Sequence, residues 1–234
     1  MFGQLPRVRH CFCQHEWVNA AQVEALRALL ASSGWLERTR YFARALRGRC
    51  RTPHGLLVVG TPAHEPWHMT AHLADESALA GLPGLAPTLV RWTPPPDGPP
   101  HLRVGLDRLG QAGRAGTVLV VGSDAAPDAL LERVADARKA GAAIFALDRG
   151  DDDLEGLAHE SLAVNPALDP VSFDGAQHLV TLSVGEPGRE FPLLGAGAPP
   201  GAGARPGAGA RPHLTGARGT LARVLNAISG SPDG

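Results

Sequence analysis

Three short apolar runs bounded by glycines or placed next to them constrain the fold more than any other feature of the chain. Gly55-Leu56-Leu57-Val58-Val59-Gly60, Thr117-Val118-Leu119-Val120-Val121-Gly122 and Ala143-Ile144-Phe145-Ala146-Leu147 have no polar residue in their interiors. A strand with one wet face alternates apolar with polar residues, whereas a continuous run of this length reads as a strand buried on both faces. Helical spacing fills the intervals. Trp67 to Ala80 continues from Pro66, which suits a first helical turn, until Gly81 and Pro83 stop it. Asp128 to Ala140 carries Leu130, Leu131, Val134, Ala135 and Ala137 on one face and ends at Gly141.

Weaker segments complete the alternation. Thr88 to Trp92 forms a second strand closed by Pro94-Pro95-Pro96, Val104 to Gly110 a short helix, Leu154 to His159 another, and Ser161 to Val164 a fifth strand. Ser172 to Val184 reads as a covering helix. Strands that alternate with helices imply a parallel sheet covered on both faces by right-handed crossovers. The expected fold is therefore α/β, a three-layer doubly wound sandwich around a mainly parallel five-stranded sheet.

The flanks differ in kind. Residues 1–50 are expected to form an N-terminal arm and two helices, broken near Ser32, Ser33 and Gly34, that pack on an α/β domain at 51–190. Residues 191–216 are nearly all Gly, Ala, Pro and Arg, a linker that cannot bury a core. In 217–234, Leu221, Val224, Leu225 and Ile228 line one stripe of a short helix, which is expected to dock on the domain, on a second copy, or on a protein partner.

Composition excludes some functions. The chain has 234 residues, 44% of them hydrophobic, and a net charge of -1, with no field to hold nucleic acid. The local run of Arg38, Arg40, Arg44, Arg47, Arg49 and Arg51 is expected to be a solvated helix face. No stretch approaches the ~20 apolar residues of a membrane span, and Met1 to His15 lacks the apolar run of a signal peptide, so the expected location is the cytoplasm. Cys11, Cys13 and Cys50 are an odd set that a cytosolic setting keeps reduced. Lys139 is the single lysine, and the excess of Arg, Ala, Gly and Pro reads as a high-GC coding bias.

The order of segments from Arg51 to about Val184 resembles the sugar isomerase (SIS) domain family of phosphosugar isomerases and sugar-phosphate sensors. The resemblance is carried by Thr117 to Leu130, which contains Val121-Gly122-Ser123-Asp124-Ala125-Ala126-Pro127-Asp128, and by the following Ala140-Gly141-Ala142-Ala143-Ile144-Phe145-Ala146-Leu147. Leu157-Ala158-His159-Glu160-Ser161-Leu162 is a fainter echo. In the family, turns of the form G-x-G-x-S after the first strand and S-G-x-T-x-[DE] after the third present hydroxyls and backbone N–H groups to a phosphate. Here Ser123 is kept, but Asp124 stands where Gly is usual and Ala126 where Thr is usual. After the first strand, Gly60-Thr61-Pro62-Ala63-His64 retains one hydroxyl and loses a backbone donor at Pro62.

What the resemblance implies is a pocket at the carboxyl ends of the strands, built from Gly60, Thr61, His64, Gly122, Ser123 and Asp124, for a small sugar derivative or sugar phosphate. Ser123 and Asp124 have a second reading as caps of the helix containing Asp128. The expected protein is a homodimeric carbohydrate-derivative-binding or regulatory protein with little or no catalysis. The alternatives are an active aldose-ketose phosphosugar isomerase, with its base among Glu65, His64, His159 and His178, and an interaction scaffold acting through the C-terminal helix.

No cofactor is implied. Two clusters hold metal-ligand types: Cys11, Cys13 and His15 with His10, and the His64-Glu65-Pro66-Trp67-His68 match to H-E-x-x-H with His72 beyond it. Pro66 in a first helical turn would leave His64 off the face of His68, and C-x-C is tighter than a zinc knuckle. The preferred readings are an irregular arm whose cysteines pack, and a pair of surface histidines.

Overall fold

The computed structural model describes residues 28–185 apart from residue 31. The cluster at 10–15, most of the first N-terminal helix, the linker at 191–216 and the helix at 217–234 lie outside the described residues. Within them the order is α1 (Trp35–Arg49), β1 (Leu56–Gly60), α2 (Trp67–Ala80), β2 (Pro87–Val90), β3 (Thr117–Val121), α3 (Asp128–Lys139), β4 (Ala143–Asp148), α4 (Asp152–Leu157), β5 (Glu160–Ala163) and α5 (Phe173–Gly185). The segment expected as a helix over Val104 to Gly110 is a 3₁₀ turn, Leu106–Gln111, bounded by Gly105 and containing Gly110. Glycine's conformational freedom disfavours a regular helix there.

The sheet order is β2-β1-β3-β4-β5 and every neighbouring pair is parallel. All residues of β1, β3 and β4 are buried. Period-2 alternation divides them between two cores. Leu56, Val58, Leu119, Val121, Phe145 and Leu147 face α1, α2 and α5, while Leu57, Val59, Val118, Val120, Ile144 and Ala146 face Leu109, α3 and α4. The α/β sandwich expected from the sequence is the architecture observed.

Helix α1 belongs to that core. Trp35, Thr39, Phe42, Ala43 and Leu46 recur every three or four residues and are all buried, and Phe42 meets Phe145 edge-to-face at 5.5 Å between ring centres. The Trp35 indole N–H donates to the Asp169 carboxylate at 2.9 Å. The break before α1 falls at Gly34, whose φ of 73° lies in the left-handed region that glycine tolerates. The arginine run is more than a solvated face: Arg38 donates to the Ala163 carbonyl at 3.0 Å and Arg47 to the Val184 carbonyl at 3.2 Å. Those two side chains tie α1 to β5 and to α5.

Burial pushes the Cys50 thiol up to about 12, so it stays protonated and inert at neutral pH. No helix among the described residues is long and apolar enough to cross a membrane. Phe42→Ala removes a ring wedged between α1 and β4 and is expected to destabilise the fold by about 3–5 kcal/mol. Urea denaturation of the pair measures it. A loss below about 1 kcal/mol would mean that α1 is an appendage.

Candidate functional site

Strands β1 and β3 are neighbours, yet their outgoing connections lie on opposite faces of the sheet. The chain leaves β1 through α2 on one face and β3 through α3 on the other. Such a divergence opens a crevice at the carboxyl ends of the two strands, where open α/β sheets bind ligands. The loops that begin there are Gly60-Thr61 and Gly122-Ser123-Asp124, and Gly60 pairs with Val121 across the ladder.

These loops meet. Thr61, 1% exposed as a residue, donates through its hydroxyl to the Asp124 carboxylate at 2.6 Å. A Cβ at Gly60 would run into the His64 carbonyl and the Pro66 ring, and one at Gly122 into the Thr61 methyl. Both glycines are therefore required by close approach of backbone or side chain rather than by a special φ. The Gly60 carbonyl also accepts the Trp92 indole N–H at 2.8 Å, which fixes the β1 turn against the residues after β2.

Neither Ser123 nor Asp124 caps α3, so the capping expectation fails. Pro127 is the N-cap residue and no side chain caps that helix. Asp124 is engaged by Thr61 instead, and the Ala126 N–H donates to the Asp151 carboxylate at 2.7 Å. Asp151 in turn caps α4 through the Leu154 N–H at 3.0 Å. Two of the protein's own carboxylates thus accept from the turns that follow β1 and β3. Asp151 was not among the residues expected at the site, although Gly150 followed by three aspartates is a recognisable helix-start signal.

His64 lies in the loop, not on α2, because α2 starts at Trp67 behind Pro66. Its backbone bridges Thr61, its ring meets Phe173 edge-to-face at 5.4 Å, and its Nε2 is buried without a hydrogen-bond partner among the described residues. Phe173 carries the Arg149 guanidinium on its other contact, at 5.6 Å. Glu65 forms a two-point ion pair with Arg91, at 2.8 and 3.1 Å. His64, Glu65 and His68 therefore do not form the H-E-x-x-H geometry of a metalloprotease.

The remaining histidines separate. His159 is satisfied at the sheet: its Nδ1 accepts from the Ile144 N–H at 2.9 Å while its backbone N–H donates to the Ile144 carbonyl. His178, on α5, meets His68 and His72 of α2 in a small cleft also lined by Asp174 and Gln177. A larger cleft of about 460 Å³, bordered by His54, Arg108, Gln111 and Arg114, opens at the amino ends of β1 and β3, at the opposite end of those strands from the crevice. No family model matches the chain, and no curated protein matches it.

At the end of β4, Asp148 is 2% exposed and accepts from the N–H groups of Gly150 and Asp151. Burial raises its pKa above the ordinary 3.8 despite those donors, and the nearby Asp151 and Glu155 push the same way. The folded state therefore holds this proton more tightly than the unfolded chain. Its stabilising contribution is complete below about pH 3.8 and is lost as pH rises through the raised value. Asp148→Asn keeps an acceptor oxygen and removes the charge, so its urea midpoint should fall less than the parent's between pH 4 and 7. Parallel profiles of the two proteins would contradict this placement of the proton.

Proposed function

We propose that the protein is a SIS-like binding or regulatory protein that takes a non-phosphorylated sugar derivative at the carboxyl ends of β1 and β3, with little or no turnover. The observation that carries this reading is the Thr61–Asp124 hydrogen bond, because it sets a carboxylate where a ligand phosphate would have to sit. Two like charges 4 Å apart repel by about 1 kcal/mol in water and about 4 kcal/mol near a protein surface. A carboxylate is, in contrast, a good acceptor for sugar hydroxyls, since it offers several lone pairs and needs no donor of its own.

The other groups at the crevice support the same ligand class. Ser123 is part-exposed beside Asp124, and His64 offers a buried ring nitrogen that a hydroxyl could satisfy. Apolar ring surface at Phe173 lies next to it. The isomerase alternative needs a mobile base at the substrate, and Glu65 is committed to Arg91. In this reading the protein works as a homodimer in the cytoplasm.

Thermal melting against matched neutral and phosphorylated sugars tests the proposal. A ligand at 100 times its Kd stabilises by ~2.7 kcal/mol, a shift of several degrees for a domain of this size. A neutral sugar derivative is expected to raise Tm, and Asp124→Asn to remove most of that rise, measured from the variant's own unliganded Tm. A rise produced only by sugar phosphates and enlarged by Asp124→Asn would overturn the reading in favour of the isomerase. No rise with either class would favour the scaffold.

A further inference from the structure

A third histidine turns the pair on α2 into a converging set. His68 and His72 are one helical turn apart, and His178 enters from α5, which packs along α2. His68 Nε2 and His72 Nε2 are 3.0 Å apart, and one ring nitrogen from each of the three residues falls within 4.8 Å of the others. The ring centres form a near-equilateral triangle with sides of 4.6, 4.8 and 5.0 Å. We propose that His68, His72 and His178 form a binding site for a divalent transition metal of the zinc class, with three imidazole ligands and a fourth position for water or an added ligand.

The distances fit that ion. Zinc–imidazole bonds of about 2.0–2.1 Å place tetrahedral ligand atoms about 3.4 Å apart. The His68–His72 pair is already close to this edge. The third ring reaches it by a movement of at most about 1.4 Å, within reach of rotation about the broad terminal torsion of histidine.

The backbone on both sides is firmly held. Met69 and Leu73, adjacent to the two α2 histidines, are 1% and 0% exposed, and Gln177 and Thr181 near His178 are buried as well. The cleft between the rings measures about 10 Å³, close to the space of one water-sized group. Asp174 lines it and accepts from the Gln177 amide at 3.0 Å, so a carboxylate offsets part of the charge of a bound cation. Donor chemistry sets the class of ion: imidazole suits zinc, copper, nickel and cobalt, whereas magnesium and calcium require oxygen ligands. Bound metal would clamp the helix that follows the β1 turn to the helix that closes the same face of the sheet.

The untagged full chain, stripped with chelator, is titrated with Zn²⁺ by calorimetry beside a C11S/C13S variant that lacks the other candidate thiolate ligands. Both are expected to bind one equivalent at the histidines, and Co²⁺ in the C11S/C13S variant to give the visible absorption of a four-coordinate ion without a thiolate charge-transfer band. His68→Ala alters an exposed side chain and His178→Ala a part-buried one. In the C11S/C13S background each is expected to weaken Zn²⁺ binding by more than the roughly 10–100-fold that follows loss of an outer-shell partner. Absence of Zn²⁺ binding in the C11S/C13S variant, or binding that survives both histidine substitutions, would overturn the site.

Discussion

Burial of a parallel sheet on both faces is the constraint on which the rest of this structure depends. It requires β1, β3 and β4 to be apolar along nearly their whole length, and their residues divide by parity between two cores. No polar chemistry can be carried inside those strands. It has to appear where they end, and the chain places Thr61, Gly122-Ser123-Asp124 and Asp148 to Asp151 at those ends.

At the crevice between β1 and β3 the protein uses its own anions. Asp124 accepts from Thr61 and Asp151 accepts from Ala126, so the two turns are joined to each other and to the next turn by side-chain carboxylates. A turn arranged in this way gains stability from charge-assisted hydrogen bonds and loses its attraction for a second anion.

Fold class was legible because continuous apolar runs such as Leu56 to Val59 and Val118 to Val121 are too short for a buried helix and too uniform for a strand with a wet face. Helices α3 and α5 were legible from their period, α3 also from its stop at Gly141, and α2 from Pro66 at its start and Gly81 at its end. The 3₁₀ turn at Leu106–Gln111 was not, since its apolar residues mimic one turn of helix while Gly105 and Gly110 decide the geometry. At the candidate site, Gly60, Thr61, His64, Gly122, Ser123 and Asp124 could be named from the strand ends together with the family resemblance. What each of them touches could not: the Thr61–Asp124 pair spans 63 positions and Glu65–Arg91 spans 26. The same blindness hid His178 from His68 and His72, because only the packing of α5 on α2 makes them neighbours. Asp124 also fitted a helix cap on local grounds, but the helix starts behind Pro127 with no side-chain cap and the carboxylate is taken by Thr61.

Asp124 is the internal acceptor that joins the two turns, and a double-mutant cycle measures that interaction directly. Thr61→Val, Asp124→Ala and the double variant would be compared with the parent by urea denaturation at neutral pH. A hydrogen bond to a charged acceptor predicts a coupling energy of about 1 kcal/mol or more between the two substitutions. Effects that simply add, to within about 0.3–0.5 kcal/mol, would contradict the clasp and leave the carboxylate without its assigned role.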